Sequence, residues 1–296
     1  MRVPRRSGFF KSPVWFLVPV VVYYAAFWIR PTISVIIESF TDKEGVFTFS
    51  NYVRLFSQGA VRTAFFNTVL FTLGSAVLQF VLAFALALWL NRKFRFSNLV
   101  LFITLIPMAF PPAAVGILWK TGLYRFGWIN SFLCALGLMN PANPVDWMSF
   151  RNLNAVLLLI IVDTWTVLPS VMIILLAGLQ NFNKEFEEAG WVFGANKFQT
   201  LKDIVFPIMK PTIITAMILR MIAAVQVWLI AVMIFGYNVV PFLVERIAYN
   251  VDVITFAKYA RKDAYTISVI VAAIVLISVS MYLRASGDNQ KGGETA

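Results

Sequence analysis

Two ionisable side chains stand inside stretches that are otherwise apolar, Asp163 in LLLIIVDTWTVLPS and Arg220 in ITAMILRMIAAV. A charge held away from water is expensive, so each is a functional candidate. Each also has a plainer reading, in which it pairs with the other or with a polar group on a partner and holds helices together. Trp165 and Trp228 lie beside Thr164, Thr166 and Gln226. Indole faces flanked by hydroxyl and amide groups suit stacking on the apolar face of a sugar while the polar groups bind its hydroxyls, and packing against lipid or helices is the alternative. Histidine is absent, which removes the commonest general base and metal ligand, and no group of metal-ligand spacing occurs. The single cysteine, Cys134, rules out an intrachain disulfide and reads as a small apolar residue.

The elements that hold these residues are set by composition. Sixty per cent of the 296 residues are apolar and 13 per cent charged, outside the range of soluble domains, so the chain reads as an all-α integral membrane protein. Six runs are long enough to cross a hydrocarbon core of about 30 Å. They centre on residues 14–29 (continuing toward 37), 65–90, 99–119, 154–179, 211–235 and 264–283. The net charge of +11 has no basic domain with interleaved aromatics behind it, so nucleic acid is not an expected partner, and the lipid bilayer is. The start, MRVPRRSGFFKS, reads as the flank of an uncleaved first helix. The clusters Arg5, Arg6 and Arg92, Lys93, Arg95 place both termini on the cytoplasmic side.

One long segment is water-compatible, EEAGWVFGANKFQTLKDIVFP, from Glu187 to Pro207. Asn183 is a fitting N-cap for a helix whose first turns carry Glu185, Glu187 and Glu188, and Phe186, Ala189, Gly190 and Phe193 share one apolar face. Gly194 can end that helix in a left-handed conformation. Asn196 can then cap a second one with Phe198, Leu201, Val205 and Ile208 on a common face, and Pro207 and Pro211 are expected to break the chain before it returns to the bilayer. An amphipathic connector of no special function fits the same pattern.

This segment resembles the EAA loop of importer-type ABC transporter permeases. Glu188, Ala189 and Gly190 match its start, Gly194 and Ala195 its centre, and Ile204, Phe206 and Pro207 its end. Gly190 replaces the usual second Ala, and Phe193 stands where Asp commonly precedes Gly. The sugar branch, with its MalF- and UgpA-like permeases, is matched further by PVVVYYAAFWIRPTISVIIESF, TFSNYVRLF, AFFNTVLFT, by Gly127, Asn130 and Leu133, and by DTWTVLPSVMIILLAGLQNFNKEFEEAG. After the fifth span that branch often carries Thr-x-Gly-Gly-Pro, whereas IFGYNVVP keeps only Gly236 and Pro241.

The resemblance implies a type I ABC importer fold and a non-enzymatic permease subunit that moves a sugar or oligosaccharide by alternating access. It implies as partners a second permease subunit, usually a different one, two ATPase subunits and an extracellular or periplasmic solute-binding protein, in a bacterial or archaeal cytoplasmic membrane. The chain itself would bind no cofactor, since it has no GxxxxGK[ST] loop, and ATP and Mg would sit on the partner ATPase. By resemblance, Glu187, Glu188, Ala189, Gly190, Gly194, Ala195 and Pro207 meet the ATPase, and Asp163, Trp165, Gln226, Trp228 and Arg220 are the candidate substrate cavity. The expected organisation is a first helix and outer loop over 1–63, a transmembrane core over 64–283 with the coupling loop at about 183–211, and a cytoplasmic tail over 284–296. The alternatives are the same architecture for an anionic sugar, a glycerol phosphate or a polyamine and, more remotely, a membrane-embedded transferase or a channel; the first is attractive because of Arg220.

Overall fold

The computed structural model describes residues 17–92, 94–251 and 260–293. Arg5, Arg6 and Lys93, used above for orientation, lie outside them. The described chain is helical: α1 (Val18–Ser39), α2 (Ser50–Ser57), α3 (Gly59–Asn91), α4 (Ser97–Ala109), α5 (Pro112–Leu123), α6 (Trp128–Ala135), α7 (Asn152–Gln180), α8 (Glu185–Val192), α9 (Lys197–Val225), α10 (Leu229–Phe235), α11 (Leu243–Val251) and α12 (Ala260–Gly293). Five helices, α1, α3, α7, α9 and α12, are long and apolar enough to span a bilayer, and α4 with α5 makes a sixth if counted together.

Two expected spans differ from the continuous helices read in the sequence. The third is bent by 97° between α4 and α5. The cause is local: Pro107, Pro111 and Pro112 remove three amide donors, and Phe110 and Pro111 are extended. The fifth does not begin at Pro211 or run to Phe235. Its helix begins at Lys197, ends at Val225, and resumes as α10 only after Gln226, Val227 and Trp228.

The heart of the fold is α3 packed along α7, with α9 against both. Two apolar cores fill this trio. One joins Phe71 of α3 to Ala155, Leu159 and Val162 of α7 and to Ala224 near the end of α9; the other joins Ala83 and Ala87 to Met172 and Leu175 and to Met209 and Ala216. Between them lies a buried polar layer made of Thr72, Ser75, Gln79, Asp163, Thr164 and Arg220.

Among the described residues the first span is attached through its second half, which packs along α12, and through the turn that follows it. The Lys262 ammonium of α12 donates to the carbonyls of Thr41 and Asp42, both at 2.8 Å, and Asn51 of α2 donates to the carbonyls of Ser39 and Thr41. Arg54 and Gln58 both bind the Asp263 carboxylate. Most of α1 is otherwise exposed, as a helix facing lipid or another chain would be.

The segment after α10 is built on Gly236, at φ +89°, and Asn238, at φ +61°. Buried Glu245 of α11, outside the spanning helices, accepts from the amides of Asn238 at 2.6 Å and Phe242 at 3.0 Å, and Asn67 of α3 donates to the Pro241 carbonyl. Burial raises the Glu245 pKa above the usual 4.5, opposed by those amides and by Arg246. The folded chain therefore holds this proton more tightly than the unfolded one. The group's stabilising contribution is full below pH 4.5 and is lost as pH rises through the raised pKa. Glu245→Gln removes that pH dependence and costs about 1–3 kcal/mol, since the amide keeps one good acceptor for two buried N–H groups. Thermal unfolding from pH 4.5 upward is the check, and parallel curves for the two proteins would refute it.

Candidate functional site

The water-compatible segment folds as a helical knuckle at the end of the bundle that carries residue 92. At its start the Asn183 carboxamide accepts from the Glu185 amide at 3.1 Å, but the N-cap itself falls one residue later than expected, on Lys184, which makes no side-chain capping bond. At the turn Gly194 is left-handed, at φ +86°. The Gly194 amide donates to the Trp191 carbonyl and the Ala195 amide to the Gly190 carbonyl, the pair of bonds that closes a helix C-terminus in a Schellman motif. Asn196 then starts α9 with a complete capping box: its side chain accepts from Phe198 and Gln199 amides, and the Gln199 side chain accepts from the Asn196 amide at 2.8 Å.

The knuckle does not stop at its prolines. The backbone runs helically from Lys197 through Pro207 and Pro211 to Val225, which corrects the expected break. A π-helical turn over Thr200–Val205 precedes Pro207. Its wider winding accommodates the missing donor and the ring, so the helix continues where an ideal α-helix would kink. Knuckle and fifth span are therefore one piece.

Only part of the expected apolar face turns inward. Gly190 is buried, and a methyl group added there would overlap Cδ1 of Ile204 on the π turn. Phe186 and Ala189 are exposed, Val192 is 84% exposed, Phe193 90% and Phe198 71%. Pro207 and Glu188 are also exposed, Ala195 is half-buried, and Glu187 lines a cavity beneath the helix. The face that sequence periodicity assigns to packing is thus mostly offered outward, because a short helix closed by a glycine turn has no second layer of its own chain to lie on.

In the middle of the bundle the structure brings Asp163 and Arg220 together. The Arg220 guanidinium donates to Asp163 Oδ2 and, at 3.0 Å, to Ser75 Oγ; the Gln79 amide also donates to Asp163 Oδ2, at 2.8 Å. The two charged side chains are 3% and 11% exposed, so Arg220 is engaged and not free for an anionic solute. Ser75 and Gln79 were not singled out from the sequence. With Thr72 they recur at i, i+3 and i+7 in an apolar helix, and that stripe was the available signal.

Trp165, two residues beyond Asp163 and so on another face of α7, is 37% exposed and belongs to an aromatic row. Its ring lies 6.5 Å from Phe110 at 22° and 5.9 Å from Trp119, which in turn lies 5.7 Å from Trp128. Phe110 belongs to the elbow of the bent span. Exposed Gln226 and half-buried Trp228 sit in the break between α9 and α10. The candidate residues therefore divide into a buried charged pair and two sets of aromatic and amide groups at interrupted helices, the places where backbone polar groups become available within a membrane protein.

The family model described as "Binding-protein-dependent transport system inner membrane component" matches residues 79–286. The trehalose/maltose transport system permease protein MalF of Thermococcus litoralis is 33% identical over 187 residues, 63% of this chain and 62% of that protein. The arabinooligosaccharides transport system permease protein AraP of Bacillus subtilis is 28% identical over 224 residues, 73% of this chain and 70% of that protein. Among solved structures, a chain of a bacterial alginate ABC transporter in complex with an alginate pentasaccharide-bound periplasmic protein superposes with a TM-score of 0.75 at 22% identity, covering 91% of each chain. That likeness establishes the type I importer permease fold.

The polar layer yields a prediction. Asp163→Ala leaves a buried guanidinium without its counter-charge and destabilises by about 3–5 kcal/mol, whereas Asp163→Leu with Arg220→Met, which removes both charges, recovers most of that loss. Thermal unfolding of the detergent-solubilised protein measures both. A double variant as unstable as Asp163→Ala would show that the pair does not act as a unit.

Proposed function

This chain belongs to the inner membrane components of binding-protein-dependent transport systems and is a permease of such an importer, and from that premise we propose that it moves an uncharged sugar or oligosaccharide, driven by a separate ATPase that grips the knuckle. The observation that carries the reading is the outward apolar surface of Val192, Phe193 and Phe198 on a twice-capped turn. A rigid, exposed, apolar knob flanked by Glu185, Lys202 and Asp203 has the shape and chemistry of something seated in a protein groove.

Two ATPase subunits would close around ATP and Mg and shift their grooves, the knuckle would follow, and the continuous helix α9 would carry the displacement to the bundle centre. Binding energy thereby biases two packed states, one open to each side. The solute-binding protein would deliver cargo at the opposite end, a second permease subunit would complete the cavity, and both termini would face the cytoplasm. The relatives named for maltose and arabinooligosaccharide support a saccharide cargo. The engagement of Arg220 by Asp163 and Ser75 favours an uncharged one over an anionic sugar or a glycerol phosphate. Trp165 and Trp228 would supply stacking faces, and Gln226 a hydrogen-bonding amide.

Gly194→Val places a β-branched residue at φ +86°, a penalty of about 1–2 kcal/mol, and reduces transport and solute-stimulated ATP hydrolysis on the order of tenfold with membrane insertion intact. Uptake and ATPase assays on the reconstituted importer test this, and unaltered coupling would remove the role given to the knuckle. Trp165→Ala weakens solute-stimulated ATP hydrolysis while leaving the basal rate in place; equal loss of both would mean that the ring only packs.

A further inference from the structure

Beneath the knuckle, on the side facing the bundle, two adjoining cavities of about 410 and 330 Å³ share Asn91, Arg92, Glu187 and Trp191. Their walls differ by direction. Leu88, Leu179 and Leu201, from α3, α7 and α9, form the side toward the bundle with Phe182 and Val205; Trp191, Asn91 and Thr200 line the middle, and five charged side chains complete the walls. Arg92 and Lys197 supply cations to the first cavity, Lys184 another to the second, while Glu187 and Glu188 supply carboxylates. Among the described residues, no side-chain hydrogen bond or ion pair occupies Arg92, Lys197 or Glu187.

Depth decides what such a space meets. At 1.5 Å per residue the 33 residues of α3 and the 29 of α7 extend about 50 and 44 Å, well beyond a hydrocarbon core of about 30 Å. The excess carries their ends into the headgroup layer, where an indole such as Trp191 is also at home. The cavities lie at those ends. A purely anionic ligand would find its phosphate welcomed by Arg92 and Lys197 but would face Glu187 and Glu188 with nothing to offer them. A ligand with one phosphate and one primary ammonium a few ångström apart satisfies both signs.

We propose that these two cavities bind the headgroup of a phosphatidylethanolamine, its phosphate between Arg92 and Lys197, its ammonium at Glu187 and Glu188, and its acyl chains leaving toward the bilayer past the ends of α3 and α7. The lipid then forms part of the seat of the knuckle, filling the space between α8 and the end of α3.

The test uses the complete importer, stripped of lipid in detergent, with native mass spectrometry for retained lipid and thermal unfolding as readouts. The probes are dioleoyl phosphatidylethanolamine, phosphatidylglycerol, phosphatidylcholine and free phosphoethanolamine. Phosphatidylethanolamine is expected to be retained in preference to the other two lipids and to raise the unfolding temperature. Arg92→Gln and Lys197→Gln each weaken its retention about fivefold, from roughly 1 kcal/mol per basic residue near a membrane surface. Equal or better retention of phosphatidylglycerol would mean a simple basic site and would overturn the proposal. So would equal retention of phosphatidylcholine, whose ammonium has no N–H to donate, equal effect of free phosphoethanolamine, which would make the ligand soluble, or unchanged retention in both variants.

Discussion

A carboxylate and a guanidinium facing each other at mid-bundle constrain almost everything else in this permease. Asp163 and Arg220 belong to α7 and α9, and Gln79 and Ser75 bring in α3. The layer they form is sandwiched between two apolar cores that share the same three helices. Apolar packing alone tolerates sliding, because one leucine surface resembles the next. A slide of one turn along α9 would withdraw the buried Arg220 from both of its acceptors. The cost of an unpaired charge there exceeds that of a poorly packed methyl several-fold. The layer thus fixes register as well as holding the helices together.

From this layer α9 extends without interruption to the knuckle, and the arrangement has mechanical meaning. Gly190 and Ile204 fit α8 to the π turn, the capping box begins the helix, and the same helix delivers Arg220 to Asp163. A force applied to the knuckle therefore reaches the centre of the membrane through hydrogen-bonded backbone. Beyond Arg220 the rigid path ends at Gln226, and the bent span ends its first half at Phe110. The stiff trio is flanked by two interruptions, so Phe110 and Trp228 are carried by elements able to rearrange while α3, α7 and α9, with Trp165 on α7, stay in register.

Legibility from sequence followed the range of the interaction. Gly194 and Asn196 were readable because turn and cap chemistry is local: a left-handed residue and an Asn with Gln three positions later state their own geometry. The apolar lengths gave the spans, and Asp163 and Arg220 stood out by charge, although nothing in a linear reading could say that they meet. Pro207 and Pro211 misled because the π turn before them is not written in any residue type. The break at Gln226 was missed for the complementary reason, since VQVW contains no glycine or proline to mark it. Gln79 illustrates the remaining limit. An amide in a long apolar helix is informative only once its partner on the facing helix, 84 residues on, is known.

The outward residues of the knuckle bear on what surrounds it. Phe193 stands where this type of loop commonly has an acid, and it is almost wholly exposed beside Val192 and Phe198. Leaving three such side chains in water forfeits several kcal/mol, at about 1.5–3 kcal/mol for each one that burial would protect. The bilayer interior is not an alternative cover, since Glu185, Glu188, Lys197 and Lys202 share the same short segment and would be dragged into hydrocarbon with them. A protein surface with an apolar floor and a polar rim satisfies both sets at once. Phe193 in place of an acid would move the balance of such a contact from hydrogen bonding toward burial, loosening its dependence on salt and tightening its dependence on shape.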